Sequence, residues 1–247
     1  MQRVLKACFV FVAAISAVSA QAANSITQVQ TLGQSAFRDL SEDLGAALSY
    51  KPLGPAEPLG ITGFDVGLDA SVTQFAHAQA ILAATGNTGS SFSLLVPRLH
   101  VQKGLPFNID VGLAQTSVPG TNIKVTGGEL RYAFLEGGLA MPAVAARLSM
   151  TKLSGVDQLD FKTKSLDISI SKGFAMFKPY AGIGRVWVDS TPLGNAAAAP
   201  ASLTPESMSL GKTFVGANVT FLLAAIGVEV DRTGSARTTS LKLALRW

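Results

Sequence analysis

The last eight residues of the chain alternate strictly between apolar and polar positions. The apolar set is Leu241, Leu243, Leu245 and Trp247, and the residues between and before them are Ser240, Lys242, Ala244 and Arg246. A two-residue period is the period of a β-strand, whose successive side chains point to opposite faces. The end of the chain is therefore predicted to be a strand with one apolar face and one polar face.

The same period recurs along most of the chain. The alternating stretches are 64–72, 109–114, 144–151, 166–171, 215–221 and 226–231, and turn-forming residues occupy 118–122, 154–158 and 231–236. Short strands of this kind, with no helical stretch between them, predict an all-β antiparallel fold of roughly ten to twelve strands of about ten residues. Gly127 and Gly128 interrupt the alternation between Val125 and Leu130, which predicts a β-bulge.

Two β architectures compete for this pattern. A soluble sandwich or lipocalin-like barrel buries its apolar row, whereas a transmembrane β-barrel turns the apolar row to lipid and the polar row to the lumen. The apolar rows carry almost no charge, and the aromatic residues near strand ends are typical of membrane interfaces. These aromatic residues are Tyr50, Phe174, Phe177, Tyr180 and Trp247. The pattern favours an antiparallel transmembrane β-barrel.

The strand count depends on residues 44–51. Ten strands follow from residue 61 onward, and Leu44, Ala46, Leu48 and Tyr50 alternate like an eleventh. Bacterial single-chain barrels have even strand numbers, so 44–51 either pairs with a preceding strand or does not span. We predict twelve strands, with the barrel at 44–247. The long connections 76–90 and 191–209 are expected outside the cell, and the short connections on the periplasmic side.

The N-terminus has a different pattern. A basic start with Arg3 and Lys6 precedes an apolar run, 7–18, and small residues suited to cleavage, which predicts a secretory signal peptide over 1–22. Removing it removes Cys8, the single cysteine, and lowers the formal charge from +4 to +2. Residues 23–43 then form an N-terminal segment whose apolar residues recur at helix-like spacing. This segment is either a short plug helix or a frayed leader.

The alternating C-terminal strand that closes on Trp247 resembles the assembly signal of bacterial outer-membrane β-barrel proteins. In that resemblance, Leu241, Leu243, Leu245 and Trp247 form the signal. The stretches 100–112 (HVQKGLPFNIDVG), 168–184 (ISISKGFAMFKPYAGIG) and 212–218 (KTFVGAN) look like those of a family of such barrels. The resemblance implies a place in the outer membrane of a Gram-negative bacterium and contact with its lipid. It also implies periplasmic chaperones and the barrel-assembly machinery as partners during biogenesis, and it attaches no activity.

The polar row supplies the residues predicted to line the lumen. They are Asp65, Asp69, Arg98, His100, Asp110, Glu129, Arg131, Arg147, Asp167, Arg185, Glu229, Lys242 and Arg246, with Asp189 and Asp231 on the same row. A selective pore is expected to carry a ring of one sign, and these charges are mixed. Mixed charges in a narrow barrel favour paired ions that fill the interior. A narrow or gated passage is the alternative.

Catalytic and cofactor chemistry finds little support in the chain. The two histidines are His77, in a predicted outer loop, and His100, on the polar row. No serine is marked as a nucleophile beside His100, and a lumen histidine bonded to a carboxylate is the favoured interpretation. No cofactor, nucleic-acid or metal site is indicated. We therefore predict a structural or surface-exposed barrel; a small porin-like diffusion channel or transporter for polar or amphipathic solutes is the alternative, and a lipid-modifying enzyme is less favoured.

Overall fold

The computed structural model describes residues 28–117, 123–138, 140–198 and 202–247. The predicted signal peptide, 1–22, lies outside these ranges. Within them are two α-helices, α1 (Gln34–Leu48) and α2 (Ala78–Thr85), and 3-10 turns at Val29–Thr31 and Gly194–Ala196. The strands described are β1 (Phe64–Gln74), β2 (Ser93–Leu105), β3 (Ile109–Ser117), β4 (Lys124–Glu136), β5 (Ala143–Ser154), β6 (Leu159–Ser171), β7 (Phe177–Pro192), β8 (Glu206–Phe221), β9 (Ala224–Thr233) and β10 (Ala236–Arg246).

The strands close into a barrel. Each pairs antiparallel with the next along the chain, and β1 pairs with β10 so that Asp65 lies opposite Arg246 and Gln74 opposite Arg237. Closure gives every edge strand a partner, which an open sheet in a bilayer could not do. The all-β prediction is confirmed. The described residues contain ten strands, within the predicted range of ten to twelve; the choice of twelve is wrong, because 44–51 is not a strand.

The barrel has two different ends. The two longest connections between the described strands, β1 to β2 and β7 to β8, leave and re-enter the barrel at one end, which we call the long-loop end. The other, the short-turn end, carries the connections 106–108, 137–142, 172–176 and 222–223 together with the C-terminus. This asymmetry is typical of bacterial membrane barrels.

The apolar row faces outward through most of the barrel. On β6, Leu166, Ile168 and Ile170 are exposed, while Ser165 and Asp167 on the alternate row are buried inside. This arrangement is the reverse of a soluble protein and matches a transmembrane barrel. No helix within the described ranges is both long and apolar enough to cross a bilayer.

Helix α1 lies at the long-loop end, where the pattern of the barrel wall changes. Phe37, Leu40 and Leu44 of α1 belong to one buried apolar cluster with Val186 and Val188 of β7. Other inward-facing residues of the cluster are Leu153, Leu159, Phe161 and Leu210. The inner wall is thus apolar around α1, which explains why 44–48 is helical: the apolar residues of this stretch cover the cluster at helical spacing.

The predicted bulge at Gly127 and Gly128 is wrong. Pairing runs unbroken through both glycines, opposite Thr151 and Met150, and the register shifts instead between Ala133 and Leu135. Val125 keeps the inward face that Glu129 and Arg131 share, and it packs on the apolar cluster. The alternation looks broken because the inward face is apolar at Val125, beside the apolar cluster, and charged at Glu129 and Arg131. The register of the strand does not change across the two glycines.

After α1, the chain passes through the barrel before it forms β1. Tyr50 contacts residues near the middle of the wall, and Gly63 reaches the short-turn end, where the amide of Gly104 donates to its carbonyl over 3.0 Å. Residues 49–63, here named the lumen segment, connect the two ends of the molecule.

Candidate functional site

The candidate site is the interior of the barrel, where charged side chains of the wall bind the lumen segment. Lys51 Nζ lies 3.0 Å from Asp231 Oδ1 and donates to the carbonyl of Ala46 over 2.7 Å. Arg98 Nη2 donates to the carbonyl of Lys51 over 3.0 Å, and Arg98 Nε lies 3.1 Å from Asp69 Oδ2. Opposite charges thus hold the upper part of the segment against β1, β2 and β9.

The backbone of the upper and middle parts of the segment is also bound, at Tyr50 and Leu53. Lys212 Nζ donates to the carbonyl of Tyr50 over 3.2 Å and lies 3.0 Å from Asp167 Oδ2. The amide of Leu53 donates to Glu229 Oε2 over 3.2 Å, and the hydroxyl of Tyr180 donates to the same oxygen over 2.9 Å. The segment makes no strand here, so the wall side chains replace the sheet hydrogen bonds that its buried backbone groups need.

Wall side chains also bind the lower part, toward the short-turn end. Arg131 Nη1 donates to the carbonyl of Pro55 over 2.6 Å, and its Nε and Nη2 donate to Asp110 Oδ2 over 2.9 and 2.6 Å. Asp110 Oδ1 accepts from the amide of Leu59 over 3.0 Å. Lys178 pairs with Glu57. Wall side chains therefore contact the lumen segment in its upper, middle and lower parts.

His100 lies in a buried charge cluster beside the segment. Its Nε2 is 2.8 Å from Asp65 Oδ1 and its Nδ1 is 3.0 Å from Asp69 Oδ2. Lys242 Nζ lies 2.8 Å from the other oxygen of Asp65. The ring is thus held between two carboxylates, which is a structural arrangement that needs no substrate. A second buried pair joins Arg147 Nε to Glu129 Oε2 over 2.6 Å.

The structure places all but two of the residues predicted on the lumen row inside the barrel. The inward set is Asp65, Asp69, Arg98, His100, Asp110, Glu129, Arg131, Arg147, Asp167, Glu229, Asp231, Lys242 and Arg246. Arg185 and Asp189 are the corrections, because both are exposed on the outward face of β7. Because Val186 and Val188 point inward to cover α1, the residues that alternate with them must point out.

Sequence reasoning missed four residues that contact the segment or its ligands. They are Lys51, Tyr180, Lys212 and Asn218. Lys212 and Asn218 lie on the same row as Gly216, so the two-residue alternation of β8 indicates that both side chains face the lumen. Tyr50 and Tyr180, assigned to an interfacial belt, are buried in the lumen, whereas Phe174, Phe177 and Trp247 are exposed at the short-turn end.

A small cavity remains beside the segment. It has a volume of about 20 Å³ and is lined by Tyr50, Ser71, Thr116 and Thr151, among others. A cavity of this size holds about one water molecule. Among the described residues, no group of three or more His, Cys, Asp or Glu side chains is arranged to hold a metal ion.

Polar contacts fasten α1 at the long-loop end. Asp43 accepts from the amides of Ala76 and His77 over 3.1 and 2.7 Å, and Ser41 Oγ donates to Ser190 Oγ over 2.8 Å. Burial raises the pKa of Asp43 above its ordinary value, although both backbone donors and His77 oppose the shift. The buried carboxylate of Asp43 therefore joins α1 to loop 75–92, and the hydroxyl pair of Ser41 and Ser190 joins α1 to the wall at β7.

Solved structures with a similar fold are bacterial outer-membrane β-barrels. The translocator domain of the autotransporter NalP from Neisseria meningitidis has a TM-score of 0.39 and 9% identity, covering 86% of this chain and 97% of that one. Neisserial surface protein A has a TM-score of 0.29 and 13% identity, covering 74% and 95%.

A loop L8 deletion mutant of OmpT, an outer-membrane protein of Vibrio cholerae, has a TM-score of 0.32 and 12% identity. This match covers 62% of the present chain and 54% of that chain, so it spans about half of that protein's length. These likenesses concern the barrel fold alone. No protein-family model matches the chain, and no curated protein matches it.

Proposed function

We propose that this protein is an integral outer-membrane β-barrel whose lumen is closed by its own lumen segment, and that it acts as a structural or surface-exposed barrel. One observation carries the proposal. The charged residues of the lumen bind backbone and side-chain groups of residues 50–59 of the lumen segment, so the polar side chains of the interior already have partners.

The orientation follows from the asymmetry of the two ends. Short turns and the C-terminus belong on the periplasmic side, and long loops belong outside. Helix α1 at the long-loop end then lies at the cell surface, beside loop 75–92. Export by the predicted signal peptide, chaperone binding in the periplasm and insertion by the barrel-assembly machinery through Trp247 complete the proposed route.

A small diffusion channel is the alternative that the polar lumen lining supports. Passage of solute would require the lumen segment to leave, and buried ion pairs such as Lys51–Asp231 would then lose a partner. Breaking one such pair costs about 3 to 5 kcal/mol, so spontaneous opening would be rare. We assign no catalytic role to His100, because its two ring nitrogens face Asp65 and Asp69.

Cysteine labelling tests whether the lumen is filled. Cys8 is the single cysteine, so substitutions introduce unique thiols into the mature chain. Ala56→Cys is expected to react slowly with a water-soluble thiol reagent, because Ala56 belongs to the lumen segment and is 0% exposed against the wall. Leu222→Cys is the matched control, since Leu222 is 84% exposed in a periplasmic turn. Equally fast labelling of both folded variants would contradict a filled lumen.

Planar-bilayer conductance is the second test of whether the lumen is filled. The wild-type protein is expected to stay at baseline, whereas a variant lacking 28–61 is expected to conduct because its polar lumen is then open to water. Steady wild-type conductance at several salt concentrations would overturn the structural proposal and favour the channel. Slow Ala56→Cys labelling keeps the proposal testable even where the deletion variant fails to fold.

A further inference from the structure

A cluster of basic side chains lies on the outward face of the barrel near the long-loop end. We name this group the basic wall cluster: Lys124 on β4, Lys152 on β5, Lys162 and Lys164 on β6, and Arg185 on β7. All five residues are exposed. We propose that the basic wall cluster binds the phosphate groups of a phosphorylated glycolipid headgroup in the outer leaflet, which rests on the proposed function.

The strand register brings these cations together. Lys152 lies directly opposite Lys162, Lys124 is opposite Ser154 and therefore diagonal to Lys152, and Lys164 follows Lys162 on the same face. Directly opposed residues have Cβ atoms about 5 Å apart and diagonal neighbours about 7 to 8 Å. Like charges placed so closely repel one another. A bound anion would remove that repulsion.

The carboxylates nearby neutralise the cluster only in part. Lys162 Nζ lies 2.7 Å from Asp160 Oδ2, and Asp189 stands opposite Lys162 while it accepts from Ser207 Oγ over 2.7 Å. In the part of the chain that the structure describes, Lys124, Lys152, Lys164 and Arg185 form no ion pair with a carboxylate. The cluster therefore keeps a net positive charge.

The position of the cluster selects a lipid as the anion's source. On β5, β6 and β7 the cations begin one outward position beyond the last apolar residue of the row: Lys152 after Met150, Lys164 before Leu166, and Arg185 after Ile183. One outward position is about 7 Å along a strand. The cluster therefore lies at the boundary of the hydrocarbon layer, where headgroup phosphates are found, and exposed Trp187 lies between Arg185 and Asp189 as an interfacial aromatic.

The opposite wall supports a local site over a general ring of charge. On β1 and β2, the outward row near the same end contains Val72 and Leu95, which face each other, followed by Gln74 and Ser93. The outward cations described near this end are therefore unevenly distributed, with none on β1 and β2. A separate basic pair, Arg232 opposite Arg237, lies on β9 and β10.

Lipid binding to the purified protein tests the proposal. The protein is placed in phosphatidylcholine nanodiscs that contain bis-phosphorylated lipid A or the same glycolipid without phosphates, and retained glycolipid is measured by native mass spectrometry. We expect preferential retention of the phosphorylated form. Lys152→Gln with Lys164→Gln is expected to weaken it by about 30-fold, since each lysine near an anionic surface contributes roughly 1 kcal/mol.

Two controls isolate the cause. Lys152→Arg with Lys164→Arg keeps the charge and is expected to keep binding, and Arg38→Gln removes a cation on α1 that pairs with Glu206 away from the cluster. Equal retention of both glycolipids, or retention insensitive to the double Gln substitution, would overturn the proposal. Competition by millimolar inorganic phosphate as effective as by lipid A would also overturn it, because the site would then serve a soluble anion.

Flotation with liposomes separates this proposal from the one it rests on. A protein that inserts and floats but shows no phosphate preference overturns the basic wall cluster alone. A protein that fails to insert overturns the outer-membrane function, and with it the lipid site.

Discussion

At the scale of single residues, the lumen charges are explained by the chain that runs between them. An extended segment inside a barrel cannot join a sheet, yet its buried amide and carbonyl groups need partners. Arg131 supplies a donor to Pro55 and Glu229 supplies an acceptor to Leu53. The mixture of signs in the lumen follows from this requirement, because both kinds of backbone group must be satisfied.

Lys51 and Asp231 allow the coupling between segment and wall to be measured. Each is almost fully buried, so Lys51→Met alone should lower the free energy of unfolding by about 3 kcal/mol or more, as should Asp231→Asn alone. The double substitution removes both charges and should cost clearly less than the sum of the two. Denaturant unfolding followed by tryptophan fluorescence measures all three variants. Additive effects would show that the two charges do not interact.

Gly104 is the residue at which the bend of the segment meets the wall. A β-carbon on Gly104 would overlap the backbone carbonyl of Gly60, which cannot move aside as a flexible side chain could. Gly104→Ala should therefore destabilise the protein by about 1 to 3 kcal/mol. Gly211→Ala is the control, since a β-carbon there meets no atom within 4 Å. Equal unfolding midpoints for the two variants would rule out close packing at this bend.

At the scale of elements, β7 shows how far the two-residue period can be trusted. The period correctly separates Val186 and Val188 from Arg185, but it does not say which set faces in. Away from α1 the apolar set faces out of the barrel, whereas around α1 it faces into the barrel. Sequence alternation therefore predicts the strands and their antiparallel pairing, and it misplaces Arg185 because the partner of the inner face changes along one strand.

Helix α1 can be predicted from the sequence only in part. Phe37, Leu40 and Leu44 have helical spacing, and a plug helix was one of the two interpretations of 23–43. Leu44, Ala46, Leu48 and Tyr50 also satisfy a two-residue period, so the end of the helix looked like a strand. Nothing local could show that the following residues cross the lumen, since their partners come from strands far along the chain.

Asp43 gives the attachment of α1 a dependence on pH. Its pKa is raised by burial above the ordinary value of 3.8, so the folded protein binds this proton more tightly than the unfolded chain. Stability from such a group is present at low pH and is lost as pH rises from about 3.8 through the raised value. Asp43→Asn removes this contribution. The wild type should therefore lose unfolding free energy relative to Asp43→Asn as pH rises in that window.

The comparison is made by denaturant unfolding at a series of pH values. A constant difference between wild type and Asp43→Asn would show that the carboxyl group has the same pKa in both states. A difference that grows in favour of the wild type with rising pH would show a lowered pKa.

At the scale of the whole molecule, the barrel consists of two zones with opposite polarity. In the longer zone, aliphatic residues face outward and the interior is polar; around α1, the interior is apolar and the outward face carries lysines and Arg185. Under the proposed function, a membrane-embedded zone and a water-exposed zone on one continuous wall would produce this reversal. The boundary between them is where the basic wall cluster begins.

The two tryptophans mark opposite edges of the proposed bilayer zone and so test its position. Trp187 is outward-facing near the long-loop end, and Trp247 stacks on Phe64 at the short-turn end with ring centroids 5.2 Å apart. In liposomes, Trp187→Phe and Trp247→Phe each leave one fluorophore. Both should be quenched more by lipids brominated near the headgroup than by lipids brominated near the chain ends, because tryptophan prefers the interface.

A third tryptophan position, in the middle of the aliphatic face, gives a reference for quenching deep in the bilayer. Ile168→Trp in a background lacking both native tryptophans places the ring in the middle of the aliphatic row of β6, where Ile168 is 52% exposed. Its fluorescence should respond most to bromine near the chain ends. If all three positions were quenched equally by a water-soluble quencher and by neither lipid, the aliphatic face would be in contact with water, and the reversal of polarity along the wall would need another cause.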